Sequence, residues 1–286
     1  MSERTYTLTV ACPDRVGIVA RVAFFIAEQR GWIIEANHHS EPDTSRFFMR
    51  NVIQASSLGL EPDAFRQRFA ALAAEFQMEW QLADSARPKK VLVLVSKHDH
   101  CLVDLLYRWR SGDLPCEIIG VVSNHPDLRA YTEWHGVPYH HLPSGSAEEK
   151  AAVYRRVGEI FDAAGGELIV LARYMQILPA DFCARYAGRI INIHHGFLPS
   201  FVGATPYNQA YQHGVKLIGA TCHFVTADLD AGPIIEQDVI RIDHSDAVED
   251  LVHYGKDIER QVLSRGLRYH LEDRVLLNGR RTVVFR

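Results

Sequence analysis

Hydrophobic and polar residues follow two different patterns along this chain, and the change between them divides it into two parts. In the first part, residues 5–11 alternate, with Tyr6, Leu8 and Val10 on one face, as in a strand that buries one side. The predicted elements of this part are a strand over 5–11, a helix over 16–29, strands over 32–40 and 46–54, a helix over 61–76 and a strand over 77–83. This order, βαββαβ, predicts a ferredoxin-like domain.

The second part has the pattern of an α/β domain with a mostly parallel sheet. A polar segment that contains a proline, DSARPKK, separates the two parts, so we place the domains at 1–86 and 87–286. Beyond it, three strand-like runs have continuous apolar stretches and alternate with helical segments, as strands covered on both faces do. These runs are KVLVLVS, CEIIGVVS and GELIVLA. The last predicted elements are a strand over 190–195, an antiparallel pair over 217–226 and 233–242, a helix over 246–270 and a hairpin over 274–285.

Composition gives no indication of a nucleic acid or membrane partner. The 286 residues are 47% apolar and 23% charged, and the net charge of −4 includes no block of like charges. The apolar runs are too short to span a bilayer, and residues 1–10 lack the apolar region of a signal peptide. The five cysteines are odd in number and form no C-x-x-C pair, which fits a reducing compartment. We therefore expect a cytoplasmic protein.

Candidate chemistry begins in the stretch IINIHHGFLPSF, where an apolar strand carries an asparagine and a histidine. Because strand side chains alternate, Asn192 and His194 should project from one face at the carboxyl end, where open α/β sheets bind ligands. An asparagine amide can stabilise an oxyanion, and a histidine can transfer a proton near neutral pH. The pair is suited to attack on a small carbonyl group. The alternative is a buried histidine with a purely structural partner.

A carboxylate for this pair is available in HFVTADLDAGPIIEQ, residues 223–237. Asp228 and Asp230 lie in a polar turn between two apolar strands, and Gly232-Pro233 predicts a tight bend. Either aspartate could orient His194 and raise its basicity. The alternative is an aspartate that only caps the turn, which is the simpler interpretation of this segment taken alone.

Three segments in this order closely resemble the folate-dependent formyltransferase family. They are LARYMQIL (171–178), NIHHGFLPSF (192–201) and HFVTADLDAGPII (223–235). The family includes glycinamide ribonucleotide transformylase and methionyl-tRNA formyltransferase. The resemblance covers about residues 88–280 and implies a Rossmann-like formyltransferase domain that binds a formylated folate.

The same resemblance assigns roles to individual residues. It implies that Asn192, His194 and Asp230 are catalytic, with Asp230 rather than Asp228 as the carboxylate. The residues that it implies for the folate pocket, largely through backbone groups, are Arg173, Met175, Gln176, Ile177, Leu178, Val225, Ala227 and Gly232. The residues that it implies behind the catalytic groups or on the opposite wall are Thr221, His223, His98 and His100.

The formyl acceptor is indicated by SKHDHCLVDLLYRW, residues 96–109, after the first strand of the second domain. In glycinamide ribonucleotide enzymes a Gly- and Ser-rich loop there holds a phosphate, whereas this segment contains no glycine. Together with the βαββαβ domain, it resembles the formyltetrahydrofolate deformylase branch, which transfers the formyl group to water and requires no cofactor. Gly196, where serine is expected, and Thr205, where asparagine or lysine is expected, depart from that branch. The alternatives are a formyltransferase with an unidentified amine acceptor and a non-catalytic folate or amino-acid sensor.

The N-terminal domain resembles an ACT domain, a module that regulates enzymes by binding small molecules. In CPDRVGIVARV, Asp14 and Gly17 lie at the turn from strand to helix, where a backbone-rich helix start can bind a carboxylate. The alternative is a plain turn with Asp14 as the helix N-cap. The resemblance implies an amino-acid effector and a homo-oligomer, a dimer or tetramer, formed by edge-to-edge pairing of these domains.

The 15 histidines raise the question of a metal site. Pairs occur at 38/39, 98/100, 140/141 and 194/195, at spacings of one or two residues. A helical zinc site needs an i, i+4 spacing or a C-x-x-C partner, and these pairs have neither. We therefore expect no metal ligands among them.

Overall fold

The chain forms two compact units. The computed structural model describes residues 3–143, 145–200 and 206–286. The first unit comprises the chain up to Pro88 together with Glu272–Asn278 and Val283–Arg286. The second unit comprises Lys89–Leu271 and Gly279–Thr282.

The first unit is a four-stranded antiparallel sheet with two helices, in the order βαββαβ that the sequence predicts. Its elements are β1 (Thr5–Pro13), α1 (Ile18–Glu28), β2 (Ile33–Glu41), β3 (Arg46–Gln54), α2 (Pro62–Glu75) and β4 (Glu79–Asp84). The strands lie in the order β2-β3-β1-β4, and neighbouring strands run antiparallel. Tyr6, Leu8 and Val10 are buried, as the alternation predicts, in a core that they share with both helices.

The C-terminal segments cover the other face of β3, which differs from the predicted second domain of 87–286. Phe48 of β3 packs with Leu276 and Phe285 in a small buried cluster. Because these terminal side chains are buried on β3, the segments that carry them fold with the first unit. The sequence contains a signal for this arrangement, since β3 is apolar at consecutive rather than alternate positions and is buried along most of its length.

The second unit contains a seven-stranded sheet that is mostly parallel. Its elements, and the hairpin that ends the chain, are β5 (Lys89–Val95), α3 (His100–Ser111), β6 (Cys116–Ser123), α4 (Arg129–Trp134), β7 (Tyr139–His141), α5 (Ala147–Ala163), β8 (Leu168–Leu171), α6 (Ala180–Arg185), β9 (Ile190–His194), α7 (Pro206–Gln212), β10 (Leu217–Phe224), β11 (Ile234–Arg241), α8 (Val248–Leu271), β12 (Val275–Asn278) and β13 (Arg281–Val284). Strands β5 to β9 pair in parallel, whereas β10 and β11 run antiparallel, as the sequence predicts.

The strand order places a ligand crevice at one edge of this sheet. The order is β11-β10-β9-β8-β5-β6-β7, so the chain moves outward from β5 through β6 and β7 and then returns to β8 on the other side. In open α/β sheets ligands bind where the order reverses, beyond the carboxyl ends of the strands. The segments after β5, β8 and β9 therefore meet where the sequence places the candidate chemistry. Across the described ranges, no helix has both the length and the apolar character of a membrane span.

Candidate active site

Two neighbouring strands place four polar side chains on one face of the sheet. In the antiparallel pairing of β9 with β10, Asn192 lies opposite His223, and His194 lies opposite Thr221. Residues that pair directly across two strands project to the same side. His194, Thr221 and His223 are buried, and Asn192 is partly buried. The pairing register thus assembles a polar group within an apolar sheet, and it includes both residues that the resemblance placed behind the catalytic pair.

Asp230 reaches this group from the turn that follows β10. Its Oδ2 lies 3.3 Å from Nδ1 of His194. Burial alone would raise the pKa of the Asp230 carboxyl, but the hydrogen bond with His194 and the electrostatic effect of the neighbouring histidines outweigh burial and lower that pKa below its usual range. Asp230 is therefore ionised at neutral pH. A carboxylate oxygen can only accept, so Nδ1 of His194 carries a proton, and in the neutral ring Nε2 holds the lone pair.

His223 orients Asn192. Nδ1 of His223 lies 2.8 Å from the carbonyl oxygen of Phe224, which can only accept, so this nitrogen is the donor. Nε2 then accepts from Nδ2 of Asn192 at 3.2 Å. Burial lowers the pKa of His223 and keeps the ring neutral, which preserves this pattern. One N–H of the Asn192 amide is thereby held by His223, and the other can donate to a ligand.

Thr221 holds the segment that follows His194. Its Oγ1 donates to the carbonyl of Gly196 at 2.9 Å and accepts from the backbone N–H of Leu198 at 3.0 Å. Nε2 of Gln237 donates to the same hydroxyl at 2.9 Å. These bonds fix the chain on the far side of His194. Of the two departures from the deformylase pattern, Gly196 lies in this segment, and Thr205 falls outside the described residues.

A cavity of about 300 Å³ opens onto Asn192, His194 and Asp230. Most of the residues that the resemblance implied for a folate pocket line it. They are Arg173, Met175, Gln176, Ile177, Leu178, Val225 and Ala227. Tyr174, Thr226, Asp228 and Leu229, which belong to the same two segments, RYMQIL and VTADLDAG, that the resemblance implied for the pocket, also line it. The lining residues that sequence reasoning did not place in the pocket are Leu171, Cys183, Ile193 and His195. Ile177 is 71% exposed at this cavity, which fits a site for a flat apolar ligand.

Gly232 has a different position from the predicted one. It is not among the described residues that line the cavity. A Cβ at this position would lie 1.7 Å from the carbonyl oxygen of Phe224, so only glycine allows the turn to pack against β10. Gly232 therefore acts through the backbone, by holding the turn from which Asp230 projects with a left-handed φ of 53°.

The predicted pocket wall also differs, because His100 binds a carboxylate that sequence reasoning missed. Nε2 of His100 lies 2.8 Å from Oε2 of Glu259, a residue of α8 that is 1% exposed. Oε2 of Glu259 also lies 3.2 Å from Nε of Arg173, and Oε1 accepts from the hydroxyl of Tyr207 at 2.5 Å. Neither His98 nor His100 is among the described residues that line the cavity. The available signal was a glutamate on the apolar face of α8, a costly position for an unpaired charge.

The group of Glu259 has the composition of a metal site but already has a cation. Ligand atoms of His100, Cys101 and Glu259 lie within 4.8 Å of one another. However, the guanidinium of Arg173 lies against the same Oε2 of Glu259 that His100 contacts. Burial also raises the pKa of the Cys101 thiol well above its usual value, which disfavours a thiolate ligand. The side chains thus satisfy the carboxylate themselves.

Comparison with known proteins identifies the family to which this chain belongs. The formyl transferase family model matches residues 89–267. A formyltetrahydrofolate deformylase of Corynebacterium sp. (strain P-1) is 46% identical to this chain over 287 residues, with 100% of both chains covered. The chain belongs to the formyltetrahydrofolate deformylase family. The resemblance inferred from the three sequence segments is thereby confirmed.

Solved structures distinguish the deformylases from their transformylase relatives. The crystal structure of a formyltetrahydrofolate deformylase from Pseudomonas syringae pv. tomato is 53% identical, with a TM-score of 0.98, and covers 100% of this chain and 96% of its own. Glycinamide ribonucleotide transformylase 1 from Symbiobacterium toebii is 32% identical, with a TM-score of 0.64, and covers 70% of this chain and 95% of its own. The deformylase thus matches both units, whereas the transformylase matches only part of the chain.

The neutral state of buried His223 predicts a pH dependence of stability. An unfolded histidine takes up a proton near pH 6.5, whereas the lowered pKa of His223 delays uptake in the folded chain. The unfolded state binds more protons below that pH, so stability is present above it and is lost as the pH falls. Between pH 7.5 and 5.5, the native protein should therefore lose more free energy of unfolding than His223→Gln.

Urea denaturation at both pH values measures this difference. His253→Gln is the matched control, since His253 is exposed on α8 and its loss should leave the pH dependence of the native protein unchanged. Equal losses of stability in the native protein and in His223→Gln would show that His223 is protonated in the folded state as readily as in the unfolded one.

Proposed function

We propose that this chain hydrolyses 10-formyltetrahydrofolate to formate and tetrahydrofolate, with water as the formyl acceptor. The observation that carries the proposal is the buried pair of His194 and Asp230, 3.3 Å apart and beside Asn192, in a member of the deformylase family. A protein that only binds a folate has no use for an ionised carboxylate that fixes the tautomer of a histidine. The exposed apolar side chains of Met175 and Ile177 at the cavity suit the ring system of a folate.

In the proposed mechanism, water attacks the formyl carbon while Nε2 of His194 takes a proton from it. Asp230 accepts from Nδ1 and balances the positive charge that develops on the ring. The formyl oxygen becomes an oxyanion, to which the amide N–H of Asn192 that His223 does not hold can donate. The bond between the formyl carbon and nitrogen-10 then breaks, and nitrogen-10 takes up a proton. The products are tetrahydrofolate and formate, with the net release of one proton.

The proposed reaction needs no metal ion and no redox group. The attacked carbonyl is an N-formyl group, which an activated water molecule and an oxyanion donor can hydrolyse. His194 with Asp230 supplies the acid–base function, and Asn192 supplies the electrostatic one. Treatment of the protein with a chelating agent should therefore leave turnover unchanged.

Turnover without an acceptor tests the proposal. Purified protein incubated with 10-formyltetrahydrofolate alone should release formate and tetrahydrofolate in equal amounts. His194→Ala should reduce kcat by about 10²–10⁴-fold, the usual contribution of general acid–base catalysis. His253→Ala, a histidine exposed on α8, is the matched control and should keep native turnover.

Two results would contradict the proposed activity, and a third would reject only the mechanism. Release of tetrahydrofolate only when an amine is added would make the protein a formyltransferase. Tight binding of the folate with no release under any condition would make it a sensor. Near-native hydrolysis by His194→Ala would reject the mechanism while the activity remained.

We also propose that the first unit is an ACT-type module that binds an amino acid between β1 and α1. Gly17 precedes α1 with a left-handed φ of 97°, and Asp14 is exposed nearby. Within the described residues no side chain caps this helix, so the interpretation of Asp14 as its N-cap is wrong. The uncapped backbone N–H groups at the start of α1 are suited to a carboxylate.

Titration calorimetry of the full chain with each of the common amino acids tests this effector site. At least one amino acid should give a saturable heat of binding and change the rate of hydrolysis. Absence of heat with all of them would remove the effector proposal and leave the hydrolase proposal unaffected.

We propose further that the protein is a homo-oligomer, a dimer or tetramer, which pairs through β2. This strand lies at the edge of its sheet, and Ile34 on it and Trp32 just before it are more than half exposed. Exposed apolar edge strands tend to pair with another chain. Sedimentation velocity should show an oligomer for the native protein and a smaller species for Ile34→Lys. A native protein that sediments as a monomer would contradict the proposal.

A further inference from the structure

Hydrolysis of a formyl group leaves an anion beside a carboxylate. Formate would form between Asn192 and His194, close to Asp230, which is ionised because its interaction with His194 outweighs the effect of burial and lowers its pKa. Asp228 lines the same cavity. Like charges at short range repel strongly where water is scarce. A cation near the cavity would therefore be expected to receive the product.

Arg173 is the one lysine or arginine among the described residues that line this cavity. It follows β8 with a left-handed φ of 61° and is only 7% exposed. A non-glycine residue in this backbone conformation is uncommon and requires support from its surroundings. The chain therefore holds a buried guanidinium at the edge of the sheet where the catalytic residues lie.

The guanidinium of Arg173 has hydrogen-bonding capacity that the described structure leaves unused. Its Nε lies 3.2 Å from Oε2 of Glu259, an ion pair whose angle does not meet hydrogen-bond geometry, and its Nη1 is buried without a hydrogen-bond partner. Buried polar groups nearly always have partners, and an unsatisfied one is destabilising. We therefore expect Nη1 to donate to an acceptor at some stage of the reaction.

His100 is a second group of the same kind. Its Nε2 lies 2.8 Å from the Oε2 of Glu259 that Arg173 also contacts, so both side chains are tied to one atom. Its Nδ1 is buried without a hydrogen-bond partner. His100 is not among the described residues that line the cavity, so it acts here by holding Glu259 in place.

Contacts between rings connect this group to the catalytic histidine. The ring of His195 lies 5.3 Å from that of His194 and 6.0 Å from that of Tyr207. The hydroxyl of Tyr207 donates to Glu259. Gly255 of α8 makes this contact possible, because a Cβ there would lie 2.1 Å from that hydroxyl. Two rings, those of His195 and Tyr207, thus connect His194 to Glu259.

We propose that Arg173, held in place by Glu259, forms a subsite for a small carboxylate anion, and that formate occupies it as the product. The identity of the ligand depends on the proposed hydrolysis, whereas the existence of the subsite does not. Glu259 and His100 are positioning residues here, because they act through Arg173. A folate also carries carboxylates on its glutamate, and the same subsite could bind one of these. The experiment must therefore distinguish formate from the glutamate of the folate.

Binding of sodium formate to the protein without substrate tests the subsite. Broadening of the ¹³C-formate resonance by the protein gives a dissociation constant, with sodium chloride at equal ionic strength as the reference. A ligand of three heavy atoms should bind at about millimolar concentration. Formate should also inhibit turnover in the same range.

Arg173→Gln should weaken formate binding at least tenfold, because it removes the charge and the unpartnered N–H group. Arg50→Gln is the matched control, since Arg50 is buried and paired with Glu35 within the first unit, and this variant should bind formate like the native protein. If Arg173→Gln does not fold, Arg173→Lys keeps the charge without the guanidinium and should bind formate several-fold more weakly than the native protein.

The outcomes separate this inference from the hydrolase proposal. Equal formate binding by the native protein and the Arg173 variants, or hydrolysis without formate binding, would overturn the subsite. Formate binding that depends on Arg173 in a protein without hydrolase activity would support the subsite and reject the hydrolase. A rise in KM in Arg173→Gln that is confined to substrates with the glutamate, with unchanged formate binding, would assign Arg173 to the folate tail and overturn the formate proposal.

Discussion

The contact between His194 and Asp230 is the constraint on which the site depends. A buried carboxylate stays ionised only with a partner, and a histidine keeps one tautomer only while an acceptor holds the other nitrogen. The two residues come from different elements, His194 from the end of β9 and Asp230 from the turn after β10. Their distance therefore depends on the register between these strands, since a slip by one residue would turn His194 to the opposite face.

Neighbouring residues support this contact through the backbone. Thr221 fixes the chain after His194, His223 fixes the amide of Asn192, and Gly232 allows the turn to approach β10. None of these three residues needs to touch a substrate. Their substitution should nevertheless disturb the chemistry, because the distances at an active site tolerate little displacement.

Two carboxylates serve this end of the second unit in different ways. Asp230 lines the cavity, where its charge can respond to a proton on His194. Glu259 is almost fully buried and is surrounded by His100, Arg173 and Tyr207, which satisfy it. Removal of one partner from such a buried group would leave an uncompensated charge, so the group behaves as a rigid support. Of the two carboxylates, Asp230 is thus the candidate for the chemistry, and Glu259 has a structural role.

The sequence predicts the elements better than the contacts between them. Period-2 alternation in β1, apolar runs in the parallel strands and the Asn-x-His spacing of β9 are local patterns, and each is found in the structure. Glu259 was missed because its partners lie on α3, after β8 and on α7, so no local pattern connects them. The packing of Phe285 on β3 was missed for the same reason, since a terminal hairpin does not show which surface it covers.

Nitrogen-15 NMR of histidine-labelled protein tests the central claim most directly. The claim predicts that at pH 7.5 His194, assigned by comparison with His194→Gln, has a protonated Nδ1 and an unprotonated Nε2, and that Asp230→Asn loses this preference. A native His194 with its proton on Nε2, or a tautomer that is unchanged in Asp230→Asn, would contradict the account, because Asp230 would then not set the state of the proposed base.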